Sequence, residues 1–273
     1  MRPWVIAMVQ ADLYKNLPTS DELPDSDDTP VDNEDQNLLP NYLLFLLKLI
    51  WADRQDWYFG VDMGIYHTTG ENCRIPVIPD GFLALGVPRR KPGQRFRRSY
   101  VLWEEEGTVP IMALEMVSWS PGGEYAEKMT LYANLGVLYY VIYNPEYWGR
   151  DQHQPFEVYK LIGGKYQLQR GEPYWMPEVG LAIGRAQGLL GGELRELLTW
   201  FDAEGNRYPS AEEKALELEA QAQAYQSQVE QERQARLGAI QPLHQRGLST
   251  AEIASILSLS VDEVDQAIRP DET

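Results

Sequence analysis

Three charged side chains stand where charge is costly. Glu115 interrupts residues 111–117 (IMALEMV), an otherwise apolar run, and an acid inside a buried strand is unfavourable unless something binds it. Asp80 follows Pro79 where a second apolar run, 75–85 (IPVIPDGFLAL), is entered or bent. A Pro-Asp pair alone is a common turn signal. Lys128 lies in the stretch 124–135, where Tyr125, Met129 and Tyr132 recur at helical spacing on one face. At roughly 100° per residue, Lys128 sits about 60° round from that stripe. Its ammonium could reach the end of the strand carrying Glu115. Two carboxylates at adjacent strand ends make a hard-oxygen site suited to Mg²⁺. Such an ion polarises a phosphodiester and lowers the pKa of an attacking water. A nearby lysine orients that water or stabilises charge developing on phosphorus. No other constellation competes: the three histidines, His67, His153 and His244, are scattered without ligand spacing. There is neither a Gly-x-Ser-x-Gly elbow nor a phosphate-cradling glycine loop.

The elements that must position these groups read as strand, turn, helix, strand across residues 110–143. Pro121, Gly122 and Gly123 mark the turn, proline being suited to a first helical turn. Gly136 stops the helix. Residues 137–143 (VLYYVIY) form a continuous apolar run, as in a strand covered on both faces. Upstream, the pattern predicts a short strand at 4–9, a long helix at 40–53 and an aromatic-rich strand at 57–67. Asp62 in that strand reads as a satisfied structural carboxylate. A further short strand is predicted at 101–106. Downstream, Gly163-Gly164 joins strands 156–162 and 165–169 as a hairpin. Residues 172–205 read as short strands with a helix near 193–201. The expected fold is α/β, a central mixed sheet of about five or six strands with helices on both faces.

Charge sets limits. The 273-residue chain carries a formal net charge of −17, which repels phosphate backbones. One dense basic patch opposes this, Arg89, Arg90, Lys91, Arg95, Arg97 and Arg98, lying between the runs that carry Asp80 and Glu115. It reads either as a solvated hairpin tip or as a loop that contacts phosphates. Residues 19–35 hold eight acids and no base; a solvated loop is the plain reading, a lid or a source of one more metal ligand the sharper one. Cys73 is alone, so a disulfide framework is excluded and a reducing cytoplasm is expected. The N-terminal residues lack a signal peptide's apolar region. The most apolar segment, 38–51, is too short for a bilayer and contains Pro40, Asn41 and Lys48. A soluble cytoplasmic protein is expected.

The C-terminal quarter is helical. Ser210 and Glu213 start a long polar helix to about residue 237. Leu218, Ala222, Tyr225 and Val229 follow a 4-3-4 spacing, a short seam that leaves a homodimer open. Ser249 with Glu252 and Ser260 with Glu263 are two further capping boxes in a helix-turn-helix-like unit. Its second helix offers Asp262, Glu263 and Asp265 against Gln266 and Arg269, poorly suited to a DNA groove. A structural or protein-binding role is the reading. The expected organisation is a domain at 1–205, a polar linker helix at 206–237 and the helix-turn-helix-like unit at 238–273.

Taken in order, several motifs resemble one family: PD at 79–80, LEMVSWSP at 114–121, E-x-x-x-K at 124–128, LYANLGV at 131–137 and YYVIYNP at 139–145. They are similar to the Uma-type restriction-endonuclease-like proteins of the PD-(D/E)XK nuclease superfamily. The resemblance extends from about residue 30 into the polar helix. In the wider superfamily an acid and a lysine share one strand, two positions apart; here that position is Val117. The Uma-type pattern takes its lysine from the following helix, which fits Lys128. Glu124 stands where the family commonly has Asp, and its spacing suits holding Lys128 in place. The resemblance implies a restriction-endonuclease-like sheet, with Asp80, Glu115 and the Met116 carbonyl as ligands for Mg²⁺ or Mn²⁺ and Lys128 as catalytic. It implies DNA as substrate. The other reading, of a different class, is a catalytically idle scaffold that binds a protein partner through its C-terminal helices.

Overall fold

The computed structural model of the chain describes residues 17–24, 33–70, 72–91, 96–120 and 122–269. The strand expected at 4–9, and Arg95 of the basic patch, lie outside them. In chain order the elements are α1 (Glu34–Ile50), β1 (Trp57–Val61), β2 (Ile65–Tyr66), β3 (Gly81–Leu85), β4 (Tyr100–Val101), β5 (Met112–Met116), α2 (Glu127–Leu135) and β6 (Tyr139–Tyr143). Then come α3 (Trp148–Asp151), β7 (Phe156–Ile162), β8 (Lys165–Leu168), β9 (Tyr174–Met176), β10 (Leu181–Leu190), β11 (Glu193–Phe201), α4 (Ala211–Gln245), α5 (Thr250–Leu257) and α6 (Val261–Ile268). The chain divides into two units, residues 1–211 and 212–273.

The first unit is built on a six-stranded mixed sheet of order β1-β3-β5-β6-β7-β8. Only β5 and β6 of this sheet are parallel, and α2 is the crossover between them, as parallel neighbours require. Side chains alternate across β5. Met112, Leu114 and Met116 face a core formed with α1 and with the three-stranded sheet β11-β10-β9. Ala113 and Val117 face the other core, with Tyr132 and Leu135 of α2. Glu115 shares the parity of that second set, so it points under α2. Helices therefore cover both faces of the mixed sheet, as the sequence pattern anticipates.

Several boundaries differ from expectation for identifiable reasons. α1 begins well before Pro40, because Asn33 caps it by accepting the Gln36 N–H at 3.0 Å. The strand expected at 57–67 breaks at Asp62, whose φ of 48° is left-handed, and resumes as the two residues of β2. The strand expected at 75–85 is reduced to β3, with a single bridge from Val77 to Ile65; Pro76 and Pro79 cannot donate to a ladder. Residues 102–104 turn into a short 3-10 helix instead of extending the predicted strand. The helix predicted near 193–201 is a correction: it is strand β11, paired along its length with β10. Gly191 and Gly192, at φ 64° and 82°, form the two-residue turn that commits both flanks to a hairpin.

In the second unit, Ile240 of α4 packs with Ile253 and Ala254 of α5 and Val264 of α6. Both expected capping boxes are formed, Ser249 with Glu252 and Ser260 with Glu263. α4 runs on to Gln245, past the end expected for the polar helix. Among the described residues no helix is long and apolar enough to cross a membrane.

Candidate active site

Register brings the acids together. β3 and β5 are antiparallel, with Phe82 opposite Ala113 and Gly81 opposite Leu114. One step further along each strand stand Asp80 and Glu115, which the register carries to facing positions at the end of the ladder. Directly opposite residues of an antiparallel pair have Cβ atoms about 4.5–5.5 Å apart. Asp80 is held there by accepting the Met116 N–H on Oδ2 at 2.6 Å. Glu115 is almost completely enclosed, at 1% exposure.

α2 supplies the cation. Lys128 Nζ donates to Glu115 Oε2 at 2.7 Å. One turn later, the Tyr132 hydroxyl donates to Glu115 Oε1 at 2.6 Å. Both carboxylate oxygens are thus engaged by one helix face. The left-handed Gly136, φ 86°, closes α2 through its N–H to the Tyr132 and Ala133 carbonyls. Tyr132 is the participant that sequence reasoning missed. It was legible only as part of the apolar stripe, and its i+4 spacing from Lys128 was the available signal. Glu124 lies in the turn before α2, not on it, and both its oxygens accept the Gly122 N–H at 3.0 Å. It bears on Lys128 as a nearby negative charge.

The electrostatics are those of crowded anions. Burial, then the charge of Glu115, pushes the Asp80 carboxyl up to about 8; the Met116 N–H and Lys128 pull the other way. Asp62, read in the sequence as purely structural, adds to the upward push, and its own N–H donates to the Asp80 carbonyl at 3.2 Å. Burial also raises Glu115, against the pull of Lys128 and Tyr132. Burial would lower Lys128, but the charge and hydrogen bond of Glu115 outweigh it and the ammonium is held above its ordinary value. Burial and Glu115 raise Tyr132 far above the usual phenol range, so it is a neutral donor.

The donor set suits a hard divalent ion. Among the described residues no three His, Cys, Asp or Glu side chains gather as a metal-binding group. Two carboxylates are nevertheless what Mg²⁺ commonly takes from protein, with waters and substrate phosphates filling its other positions. A site short of positive charge is one that a cation relieves. The Met116 carbonyl, on the strand edge beside Asp80, also accepts the Gln36 side-chain amide at 3.4 Å.

The basic patch is divided by the fold. Arg97 donates through Nε to Glu105 Oε1 at 2.9 Å, and Lys91 lies 2.8 Å from the same oxygen. Glu105 is buried, so these two cations are its counter-ions. The Arg89 guanidinium lies 3.6 Å from the Trp57 ring centroid. Arg90 and Arg98 are exposed.

A family model described as Uma2, "Putative restriction endonuclease", matches residues 29–200. The chain belongs to the Uma2 family. The matched span contains Asp80, Glu115 and Lys128 and ends within β11. Among solved structures the chain is similar to a "putative nuclease belonging to DUF820" from Anabaena variabilis. The two are 11% identical, with a TM-score of 0.40, over 59% of this chain and 88% of that one. No curated protein matches.

Proposed function

We propose that this Uma2 chain is a nuclease that hydrolyses phosphodiester bonds of DNA with Mg²⁺ or Mn²⁺. The observation that carries the reading is one buried strand-borne carboxylate, Glu115, held 2.7 Å from Lys128 and facing Asp80 across the β3–β5 ladder. Asp80, Glu115 and the Met116 carbonyl would hold the ion. The ion would supply Lewis-acid polarisation of the phosphate and a more acidic bound water. Lys128, kept charged, acts as an electrostatic partner for negative charge on phosphorus and not as a general base. Tyr132 fixes the rotamer of Glu115 so that the carboxylate keeps one orientation. Arg90 and Arg98 are the described members of the basic patch best placed to meet the DNA backbone. The lone Cys73 fits a reducing cytoplasm, the compartment we propose.

The test is plasmid nicking with Mg²⁺ and Mn²⁺. Asp80→Asn and Glu115→Gln should abolish metal-dependent cleavage. Lys128→Ala should slow it by roughly 10²–10³-fold, the scale of losing one preorganised electrostatic partner, while calorimetric metal binding persists. Equal nicking by wild type and Glu115→Gln would assign the activity to a contaminant. No cleavage by wild type of any DNA or RNA substrate would overturn the nuclease reading in favour of an idle scaffold.

A further inference from the structure

Three residues past the end of β5 the chain presents an indole to solvent. Trp119 is 76% exposed, four positions beyond Glu115 and so at most about 14 Å of chain away. Isolated exposed apolar residues are ordinary, but Trp119 is not isolated. It meets the Tyr147 ring edge-on, with centroids 6.0 Å apart and planes at 81°. The backbone beneath it is clamped: Arg150 Nη1 donates to the Trp119 carbonyl at 2.6 Å and Nη2 to the Ser118 carbonyl at 3.4 Å. The same guanidinium lies 4.6 Å from the Tyr147 ring centroid and is fixed by Asp151 at 2.6 Å. Asp151 is bonded in turn by the buried Asn144, whose Oδ1 accepts the Tyr147 N–H at 2.8 Å. The exposed indole of Trp119 is therefore held in place by a hydrogen-bonded frame and by Tyr147, which is itself half-buried, packed against the core on the α2 side of the sheet and covered on one face by Arg150.

These rings border a cavity of about 340 Å³ that also touches Met116 and Val117 at the end of β5. The cavity thus reaches Met116, whose carbonyl is a proposed ligand, while Asp80, Glu115 and Lys128 are not among its lining residues. Glu34 and Glu146 line it as well, beside the Asp35–Arg195 ion pair, so its lining is net negative. Their charge disfavours a phosphate there, whereas exocyclic amino groups of a nucleobase are donors that carboxylates accept. An exposed indole for stacking, carboxylate acceptors beside it and a position four residues from Glu115 favour the base, not the backbone, of a nucleotide near the scissile bond. A base can stack on a side chain only if it has left its duplex stack.

We infer that Trp119 and Tyr147 form a nucleobase-stacking platform and that the substrate of this site is single-stranded DNA. The inference rests on the nuclease reading and adds its substrate class. The experiment uses the full chain, with fluorescence anisotropy of a labelled single strand and of the same sequence as duplex, in EDTA so that nothing is cut. Cleavage of both is then followed in Mg²⁺. The wild type should prefer the single strand by at least about tenfold. Trp119→Ala should lower single-strand affinity by about tenfold, the usual effect of losing one base–aromatic stack, with duplex affinity and thermal melting unchanged. Trp119→Phe should retain most of the affinity. Unchanged single-strand affinity in Trp119→Ala, equal losses on single strand and duplex, or no single-strand binding by wild type would each overturn the platform. The two proposals fail separately. Trp119-dependent binding without cleavage would sink the nuclease and keep the platform. Metal-dependent cleavage indifferent to Trp119 would do the reverse.

Discussion

Asp80 and Glu115 are facing acids that share the pull of one cation, Lys128, and that imbalance has a measurable consequence. The ordinary carboxyl pKa of 3.8 for Asp80 rises to about 8 in the fold. The folded chain therefore holds a proton that the unfolded chain has already lost. Stability falls as pH rises from about 4 to about 8, because the native state must lose that proton. Burial raises Glu115 as well, which acts in the same sense. Lys128 is raised too, but its contribution is complete below its unfolded pKa and does not change across this window. Without metal, Asp80→Asn should therefore be more stable than wild type at pH 8, by about 1–3 kcal/mol, and the gain should shrink towards pH 4. Urea melts in EDTA at several pH values read this directly. A gain of equal size at pH 4 and pH 8 would mean that Asp80 titrates normally. Mg²⁺ added to wild type at pH 8 should stabilise the fold and release protons.

At the scale of elements, the acids are positioned by how β1, β3 and β5 are stacked side by side, and one glycine is needed for that. Gly60 of β1 pairs with Phe82 of β3. A Cβ at Gly60 would lie 2.2 Å from the Phe82 ring, and Phe82 is fully buried against Tyr58 and Tyr100. The ring has nowhere to move without disturbing the strand that begins beside Asp80. Gly60→Ala should cost about 1–3 kcal/mol, read by urea denaturation, and should lower cleavage beyond what stability explains. Unaltered stability would show that the sheet yields easily at this point. Much of this arrangement was legible in the sequence. Glu115 stood out as the one acid in an apolar run, and the spacing within 124–135 placed Lys128 at a helix edge. The Tyr132 hydroxyl was hidden because a tyrosine in an apolar stripe reads as core whether or not its oxygen bonds an acid. The segment 193–201 misled because its leucines fit a helix face as well as a strand; Gly191-Gly192 was the deciding local signal. The two roles within the basic patch were invisible, since Glu105 becomes a buried anion only once the chain has folded.

For the molecule as a whole, a net charge of −17 must be overcome before any phosphate backbone is approached. The residues able to do so are fewer than the run of arginines implies. Arg97 and Lys91 neutralise Glu105, whose side chain is 1% exposed, so removing either leaves a buried charge short of its partner. Among the described residues the ion pair of Arg98 is with Asp21 at 3.9 Å, both groups being exposed, and such a pair restrains little. Arg90→Gln combined with Arg98→Gln should therefore leave the melting temperature unchanged while weakening DNA binding. Each lost phosphate contact should flatten the slope of log K against log salt by roughly 0.7 on single strands or 0.9 on duplex. Arg97→Gln should behave differently, costing about 3–5 kcal/mol of stability as a broken buried pair does. Any loss of binding in that variant would follow the unfolded fraction. Salt titrations of binding alongside thermal melts separate the two classes. An unchanged slope in the double variant would show that Arg90 and Arg98 make no backbone contact.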